Sequence, residues 1–407
     1  MANRNGGFIG TDGLDAPDPV TAVTPTVGDS SVSVAFTAPT DAGTSAITGF
    51  VAQVSTSTGN YSAGSNTGSS SPIVVSSLTN GTAATAKVWA INAYGTSAPS
   101  DASASFTPAA PRGLYFGGYT NTHSDVIQYI TISTTGNAQD FGDLTAARLK
   151  GGAAASSTRG LTMGGQNSSS QDLNIIEYVT IATTGDSTDF GDLNITRTSN
   201  CALNSSTRAV TSAGSGGTGA GTSMEYVTIA STGNATDFGD PSGNLSQHCS
   251  FSSPTRGVLS GGRHGGSRVD VIEYITIASV GDVTDFGNLS TAKDGGLSGC
   301  SNATIGLTAG GESGSSSKVD DIEQITIAST GNATDFGNLL SAGKDGASSS
   351  CSSATRGIFW GLNPGSADNV IEYVTIGSAG NATDFGDLLA ANRLSTGATA
   401  NSNGGNQ

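Results

Sequence analysis

The stretch ITIASTGNATDFGNL at residues 325–339 decides the fold, because close copies of it recur along the chain. Near-copies occupy 227–239 (VTIASTGNATDFG) and 374–388 (VTIGSAGNATDFGDL). A regular period of about 50 residues is typical of a repeat architecture. Here the phenylalanine of the stretch returns after 49, 48, 48, 50 and 49 residues. The six phenylalanines are Phe141, Phe190, Phe238, Phe286, Phe336 and Phe385.

Each repeat contains the same four short segments with strand-forming composition. A segment of small residues is followed by a turn such as Thr158-Arg159-Gly160 and by an apolar strand that ends in Gly-Gly, as at Gly164-Gly165. A polar loop of variable length leads to the strongest strand, for example IIEYVTI at 175–181. The turn TGNATDFG closes the unit, and its Gly-Asn pair favours positive φ. Four short strands in each of six units predict a six-bladed β-propeller.

The two ends of the array distinguish a closed ring from a solenoid built of the same units. The first unit begins at Arg112-Gly113 and lacks the strand of small residues that opens the other units. The late segment Arg393–Asn401 aligns with Arg148–Ser156, which includes that strand. We therefore predict that Leu394–Asn401 pairs with Gly113–Phe116 and closes the ring.

The array at 112–402 resembles the kelch family of propellers. The resemblance rests on the period and on the Gly-Gly doublet after a short apolar strand. The later aromatic pair of a kelch repeat is replaced here by Glu-Tyr and Asp-Phe-Gly. The resemblance therefore implies the architecture more than any family function.

Residues 17–108 have a different pattern, which resembles a fibronectin type III domain, a seven-stranded antiparallel sandwich. The segments that carry the resemblance are SVSVAFTAP at 31–39, ITGFV at 47–51, LTNGT at 78–82 and VWAINAYG at 88–95. Phe36 stands where the family often has a core Trp, and Ala84 stands where a Tyr is expected. We expect Trp89 and Tyr94 to supply the missing bulk.

Three short segments lie outside these two domains. Residues 1–16 are polar and Gly-rich and predict a flexible arm or a docking peptide. The segment 109–111 is a stiff Pro-containing linker, and 403–407 forms a tail.

Composition narrows the class of protein. The 407 residues include 59 glycines and only 12% charged residues, which favours an all-β protein rich in turns. The net charge of −16 opposes phosphate backbones and anionic membranes, so we expect no nucleic-acid binding. We expect no membrane insertion, because no apolar run approaches the ~18 residues of a spanning helix. The start of the chain also lacks the apolar core of a secretory signal.

Every repeat contains Asp-Phe-Gly, which in protein kinases binds magnesium. The chain lacks the Gly-rich phosphate loop and the His-Arg-Asp loop that kinases also require. We interpret the phenylalanine as a wedge between adjacent units, where each burial contributes about 1.5–3 kcal/mol.

Carboxylates three residues apart in these turns raise the question of a metal site. The pairs are Asp189/Asp192, Asp237/Asp240 and Asp384/Asp387. With backbone carbonyls they could bind calcium, but Asn288 and Asn338 replace the second Asp in other units. We predict no metal and no cofactor, with calcium in these turns as the alternative. The four cysteines are expected to be small buried core residues.

Opposite charges recur at fixed places in the repeat and predict ion pairs between units. The carboxylates are Glu177, Glu225, Glu273, Glu323 and Glu372. The cations of the turns are Arg112, Arg159, Arg208, Arg256 and Arg356, and those after Asp/Asn-Leu are Arg148, Arg197, Lys293, Lys344 and Arg393.

Residues unique to one unit are better candidates for a ligand site. Arg263, His264 and Arg268 lie in the variable loop GGRHGGSR and could contact an anionic ligand, with a solvated loop as the alternative. Trp360, beside the last apolar strand, could stack on a sugar, with core filling as the alternative. We find no Ser-His-Asp order, no metal cluster and no unique acid/base pair, and predict no catalytic residues.

The constant frame and the variable loops are typical of a binding platform. The Gly6–Gly10 start, the fibronectin-like module and the IEYVTIASTGNATDFGDL arrays resemble virion proteins of marine tailed bacteriophages. The resemblance implies a non-enzymatic tail fibre, spike or capsid-surface appendage, assembled in the host cytoplasm and located in the virion. Its partners would be other virion proteins through the N-terminal arm, a host surface glycan or protein, and further copies of itself in a homo-oligomer. A bacterial extracellular adhesin and a glycan-active enzyme are the alternatives.

Overall fold

The computed structural model describes residues 14–57, 60–314, 317–342, 350–360, 368–392, 394 and 397–402. These residues form an all-β protein without an α-helix, and a single 3-10 turn occurs among them at Ala220–Thr222. The chain divides into two compact units between Ala110 and Pro111. The predicted arm at 1–16 lies almost entirely, and the tail at 403–407 entirely, outside the described residues.

The first unit is a sandwich of two antiparallel sheets. One sheet contains Thr21–Gly28, Ser31–Thr37 and Ile73–Val75, and the other contains Gly64–Gly68, Ile47–Ser55, Thr85–Asn92 and Gly95–Thr96, each in spatial order. The core lies between the sheets and includes Phe36 and Phe50, whose ring centroids are 4.8 Å apart.

The expectation that Trp89 and Tyr94 fill this core is wrong. Alternate residues of a strand point to opposite faces, and Ala86, Val88 and Ala90 take the inner face of Thr85–Asn92. Trp89 therefore lies half-buried on the outer face, and Tyr94 is 50% exposed.

Three serines cover the edge of the second sheet. The hydroxyls of Ser97, Ser100 and Ser103 each accept an N–H from alternate residues of Thr85–Asn92 at 3.0 Å. The serine N–H groups donate back to carbonyls of the same strand. The spacing of three matches a polyproline-type segment, which satisfies an edge that would otherwise be open to pairing.

The main strands of the second unit pair antiparallel in six groups of four, which are numbered here sheet 1 to sheet 6. Sheets 4 and 5 share the long strand Thr284–Ser301. From the first to the fourth strand, the sheets are: sheet 1, Ala398–Ala400, Arg112–Tyr119, His123–Thr131 and Gln139–Asp143; sheet 2, Gly152–Ala155, Arg159–Met163, Leu173–Thr180 and Thr188–Thr198; sheet 3, Cys201–Asn204, Arg208–Ser212, Met224–Thr228 and Thr236–Gly239; sheet 4, Cys249–Ser252, Arg256–Ser260, Ser267–Thr276 and Thr284–Ser301; sheet 5, the end of Thr284–Ser301, Ile305–Ser313, Asp321–Thr326 and Thr334–Asn338; sheet 6, Ser350–Ser352, Arg356–Trp360, Asp368–Thr375 and Thr383–Asn392.

Short strands of two residues lie near the variable loops; Arg148–Leu149 and Gln166–Asn167 form a separate two-stranded sheet, and the others extend the numbered sheets. The short strands are Arg148–Leu149, Gln166–Asn167, Ser215–Gly216, Leu245–Ser246, Arg263–His264 and Ser317–Lys318.

Sheet 1 takes its first strand from the opposite end of the array. Ala398–Ala400 pairs antiparallel with Arg112–Tyr119, with Ala398 opposite Tyr115 and Ala400 opposite Gly113. The predicted pairing of the late segment with the first strand is therefore present over these residues. Residues 393, 395 and 396 of that segment lie outside the described residues.

Equivalent backbone hydrogen bonds link each sheet to the next. The Gly185 N–H of sheet 2 donates to the Phe141 carbonyl of sheet 1 at 2.7 Å. The Gly136 N–H of sheet 1 donates in the same way to the Phe385 carbonyl of sheet 6 at 2.8 Å. The other four bonds, at 2.7–2.8 Å, are Gly233 to Phe190, Gly281 to Phe238, Gly331 to Phe286 and Gly380 to Phe336.

The six phenylalanines are buried in apolar clusters that each span two neighbouring sheets. Phe141 of sheet 1, for example, packs with Val179 and Ile181 of sheet 2. The glycine after the phenylalanine permits the close approach. A Cβ on Gly142 would lie 2.5 Å from the carbonyl of Gly185, and its φ of +147° disfavours other residues.

Candidate functional site

Buried ion pairs link neighbouring sheets. Their cations belong to the predicted set that follows Asp/Asn-Leu, and not to the set in the turns. Arg148 lies 2.6 Å from Glu177, and both side chains are almost completely buried. Arg197 pairs with Glu225 in the same way. Burial lowers the pKa of both arginines, and the charge of the partner glutamate opposes that shift. Further along, Lys293 pairs with Glu323 and with Asp321. Lys344 and Arg393 lie outside the described residues.

Among the described residues, the turn arginines do not form the predicted ion pairs. Each guanidinium lies over a tyrosine ring of its own sheet, as Arg159 does over Tyr178 at 4.6 Å. It also donates to an isoleucine carbonyl of the next sheet, in this case Ile229 at 3.0 Å. The same arrangement holds for Arg112, Arg208, Arg256 and Arg356. In sheet 5, Ile305 takes the place of the turn arginine and Gln324 takes the place of the tyrosine, so the arginine and the tyrosine are replaced together.

The predicted ligand-binding arginines lie on one hairpin but are already bonded within the chain. Arg263 and Arg268 each donate from Nε to the completely buried carboxylate of Asp294. Arg268 also donates to Glu312 at 3.0 Å and to the Gly314 carbonyl. The hydrogen bond to Asp294 is the main cause that raises the pKa of Arg268. The arginines therefore fix the hairpin, although Arg263 keeps 37% of its side chain exposed.

Sequence reasoning missed Asp294. Its signal was the triplet Lys293-Asp294-Gly295, which recurs as Lys344-Asp345-Gly346 in the next repeat.

His264 lies half-buried on the same hairpin, against the segment 243–245. It sits opposite Leu245 in the short ladder between Leu245–Ser246 and Arg263–His264. A Cβ on Gly243 would lie 3.3 Å from Nδ1 of His264.

A cavity of about 270 Å³ adjoins this segment at Asn244. Its walls are residues of Gly214–Thr222 together with Asn244, so most of its lining is glycine backbone. A Cβ on Gly221 would lie 1.8 Å from Oδ1 of Asn244, which explains the absence of a side chain there. The Asn244 carbonyl accepts the Gly265 N–H at 2.9 Å. The cavity and the His264 hairpin are therefore attached to the same short segment.

Within the described part of the chain, Glu273 lacks the cation that Glu177, Glu225 and Glu323 have. Arg148, Arg197 and Lys293 each stand five residues after an Asp or Asn, at 143, 192 and 288, and the residue five after Asp240 is Leu245. Leu245 and Glu273 are both buried, Glu273 with 3% exposure. Among the described residues, no hydrogen-bond partner reaches Oε2 of Glu273.

The other interfaces also supply a backbone N–H to this position. The donors are Thr145 and Asn194 to Glu177 and Glu225, Ser290 and Leu340 to Glu323 and Glu372, and Leu389 to Gln128, at 2.6–3.2 Å. The equivalent residue at the interface of sheets 3 and 4 is Ser242, which makes no such bond within the described chain.

His248 crosses the same interface. Its Nε2 lies 2.8 Å from Oγ of Ser212. Burial, with a smaller contribution from His264, lowers the pKa of His248 to about 3, so the ring is neutral. A serine bonded to a histidine suggests a nucleophile and its base. Both side chains are completely buried, and no described acid contacts Nδ1, so this pair is structural.

Trp360 must be withdrawn from the candidate ligand-binding residues. It is completely buried and its ring lies 5.4 Å from that of Tyr115, in the apolar cluster shared by sheets 6 and 1. The four cysteines are buried and form no disulfide. Burial raises the pKa of Cys249 to about 12, so this thiol stays protonated and unreactive at neutral pH.

The Asp or Asn that follows the turn glycine caps the residue after Asp-Phe-Gly in the neighbouring sheet. The Asp143 N–H donates to Oδ1 of Asp186 at 3.0 Å, and an Asp or Asn accepts the equivalent N–H at the other interfaces. Burial and the charges of Asp125, Asp186 and Asp140 raise the pKa of Asp143. Within the described part of the chain, no group of three or more His, Cys, Asp or Glu side chains could hold a metal ion.

Comparison with known proteins gives little further information. No protein-family model matches the chain, and no curated protein matches it. A crystal structure of domains A168–A170 from titin matches 24% of this chain with 26% identity and a TM-score of 0.23. The match spans a third (33%) of that structure's length, and its TM-score is too low to support an argument. The described residues contain no helix with the length and hydrophobicity needed to cross a membrane.

Proposed function

We propose that residues 112–402 form a six-bladed, kelch-like β-propeller that is closed by the C-terminal strand and preceded by a fibronectin type III-like sandwich. The repeated glycine-to-phenylalanine bonds support this proposal, because the bond between Gly136 and Phe385 relates the last sheet to the first just as the others relate neighbours. The pairing of Ala398–Ala400 with Arg112–Tyr119 supports it further.

We propose that this propeller is a non-enzymatic binding platform. The observation that carries the proposal is that the contacts between sheets repeat, whereas the loops after the second strand differ. Two of these loops meet at Asn244: Gly214–Thr222 lines a cavity together with Asn244, and Gly265 of the hairpin Arg263–Arg268 donates its N–H to the Asn244 carbonyl. A rigid frame with variable loops is a common basis for recognition.

The platform would belong to a structural and adhesion protein of a tailed phage particle. The resemblance of the turn repeats to virion proteins supports this assignment. In this proposal the N-terminal arm joins other virion proteins, and the loops contact a glycan or protein of the host surface.

Two experiments test the proposal. Mass spectrometry of purified infectious particles should detect the chain in the virion, and its absence there would contradict the assignment. Binding of the purified chain to host cells should fall about tenfold for His264→Ala, the size of a moderate hot-spot loss. His123→Ala, a histidine on the corresponding hairpin of sheet 1, is the matched control and should bind normally. Equal binding by both variants would remove this hairpin from the site.

A further inference from the structure

We infer that the interface between sheets 3 and 4, called here the 3–4 seam, opens before the interfaces between sheets 1 and 2, 2 and 3, and 4 and 5. The inference depends only on contacts between neighbouring sheets, so it stands or falls separately from the proposed binding role.

The four interfaces share most of their contacts. At the 3–4 seam Gly281 donates to Phe238, Arg208 donates to Ile277, and Asp282 caps Asp240, as their counterparts do elsewhere. The apolar cluster is also present, with Phe238 and Leu245 packed against Ile275 and Ile277. The 3–4 seam also has hydrogen bonds of its own, from Ser250 Oγ to the Ala202 carbonyl at 3.0 Å and between Ser212 Oγ and His248 Nε2 at 2.8 Å. What it lacks among the described residues is the cation and the N–H that the other interfaces supply to the carboxylate equivalent to Glu273.

An unpaired buried carboxylate weakens an interface. Removing one partner from a buried ion pair is strongly destabilising, because the remaining charge loses both water and its counter-charge. Glu273 is in this situation in the native chain, whereas Glu177, Glu225 and Glu323 each have a cation and a backbone N–H. When sheets 3 and 4 separate, water reaches Glu273 and hydrates its carboxylate. The free energy needed for local opening is therefore smaller at this interface than at the other three.

Opening at the seam would also move the candidate site. The segment 244–246 carries one wall of the glycine-lined cavity and pairs with the His264 hairpin. Parting of the two sheets therefore separates the two walls.

Hydrogen exchange of the intact chain tests the inference, because the same amide can be followed at each interface. Gly185, Gly233, Gly281 and Gly331 each donate their N–H across one of the four interfaces. We expect Gly281 to exchange at least about 100-fold faster than the other three, the factor that a broken buried ion pair implies. Equal rates at the four amides would overturn the inference.

Two substitutions establish the cause. Glu273→Gln removes the charge, and Gln128 shows that an amide fits this position in sheet 1. Leu245→Arg supplies the missing cation. Each should slow exchange at Gly281 to the rate of the other amides. Unchanged fast exchange in Glu273→Gln would refute the role of the carboxylate, even if Leu245→Arg fails to fold. Glu273→Gln should leave exchange at Gly185 unaltered, which controls for a global change in stability.

Discussion

Replacing Gly386 with alanine should destabilise the second unit strongly, because sheet 6 approaches sheet 1 there without room for a side chain. A Cβ on Gly386 would lie 2.4 Å from the carbonyl oxygen of Gly136 and 2.5 Å from its carbonyl carbon. The two residues are 250 positions apart in the sequence (386 − 136). The substitution therefore reports on a contact that exists only if the last sheet packs against the first.

The magnitude follows from three contributions. Ordinary contact with a Cβ begins at 3.4 Å, so the backbones must separate by about 1 Å (3.4 − 2.4), and such overpacking costs about 1–3 kcal/mol. The separation breaks the bond from Gly136 to Phe385, which contributes about 1 kcal/mol. Alanine at the φ of +151° observed for Gly386 adds about 1–2 kcal/mol of backbone strain. The free energy of unfolding should fall by about 3–6 kcal/mol in total.

Urea unfolding followed by Trp360 fluorescence measures this change, with Trp89 replaced by Phe so that only the second unit contributes. Gly142→Ala is the positive control, because its Cβ would lie 2.5 Å from Gly185 between sheets 1 and 2. Gly380→Ala is the negative control, because nothing lies within 4 Å of its Cβ. Equal losses for Gly386→Ala and Gly142→Ala are expected. A stability of Gly386→Ala equal to that of Gly380→Ala would refute the reasoning.

Three further predictions concern the buried polar groups. Glu177→Gln should lower the free energy of unfolding by about 3–5 kcal/mol, whereas Glu273→Gln should not lower it, since only the first breaks an ion pair; urea midpoints decide this. The lowered pKa of His248 means that the unfolded state binds its proton first, so stability should fall as pH drops from 6.5 towards about 3, by up to about 1.4 kcal/mol per pH unit. His248→Asn, which places the residue of the equivalent Asn200 there, should flatten that slope, and equal slopes would contradict the assignment. Cys249 should react with a thiol reagent only after unfolding, and fast labelling of the native chain at pH 8 would contradict its burial.

The repeat signal in the sequence is enough to predict the order of strands, because each phenylalanine and each Gly-Gly doublet marks the same place in a sheet. The recurrence of a charged residue does not show which side chain or carbonyl it contacts. The recurrence of charges predicts that the turn arginines pair with glutamates. Arg159 lies over the ring of Tyr178 instead, because the face of the strand on which a side chain lies determines its neighbours. A unique residue can also fill the core, as Trp360 does at the contact of sheets 6 and 1.

The unusual interface could have been found in the sequence. The cation that follows Asp/Asn-Leu in five repeats is missing from the third, where Leu245 occupies its place. A glutamate at the position of Glu273 recurs in most repeats, so the glutamates alone give no sign that the cation is missing in the third. The cavity could not have been predicted, because it depends on the path of the backbone between Gly214 and Thr222 and on the position of Asn244.

Disulfide trapping between sheets 6 and 1 tests the closed ring most directly. Asn137 accepts the N–H of Asp387 through Oδ1 at 3.1 Å, and the Ala138 N–H donates to the Asp387 carbonyl at 2.7 Å. Because the two backbones are adjacent there, we expect cysteines at positions 137 and 387 to be close enough for a disulfide. Mild oxidation of Asn137→Cys/Asp387→Cys should give a monomeric chain with an internal cross-link, and Asn137→Cys/Asp240→Cys should not. A ring that is open between these sheets would give no internal cross-link in either variant.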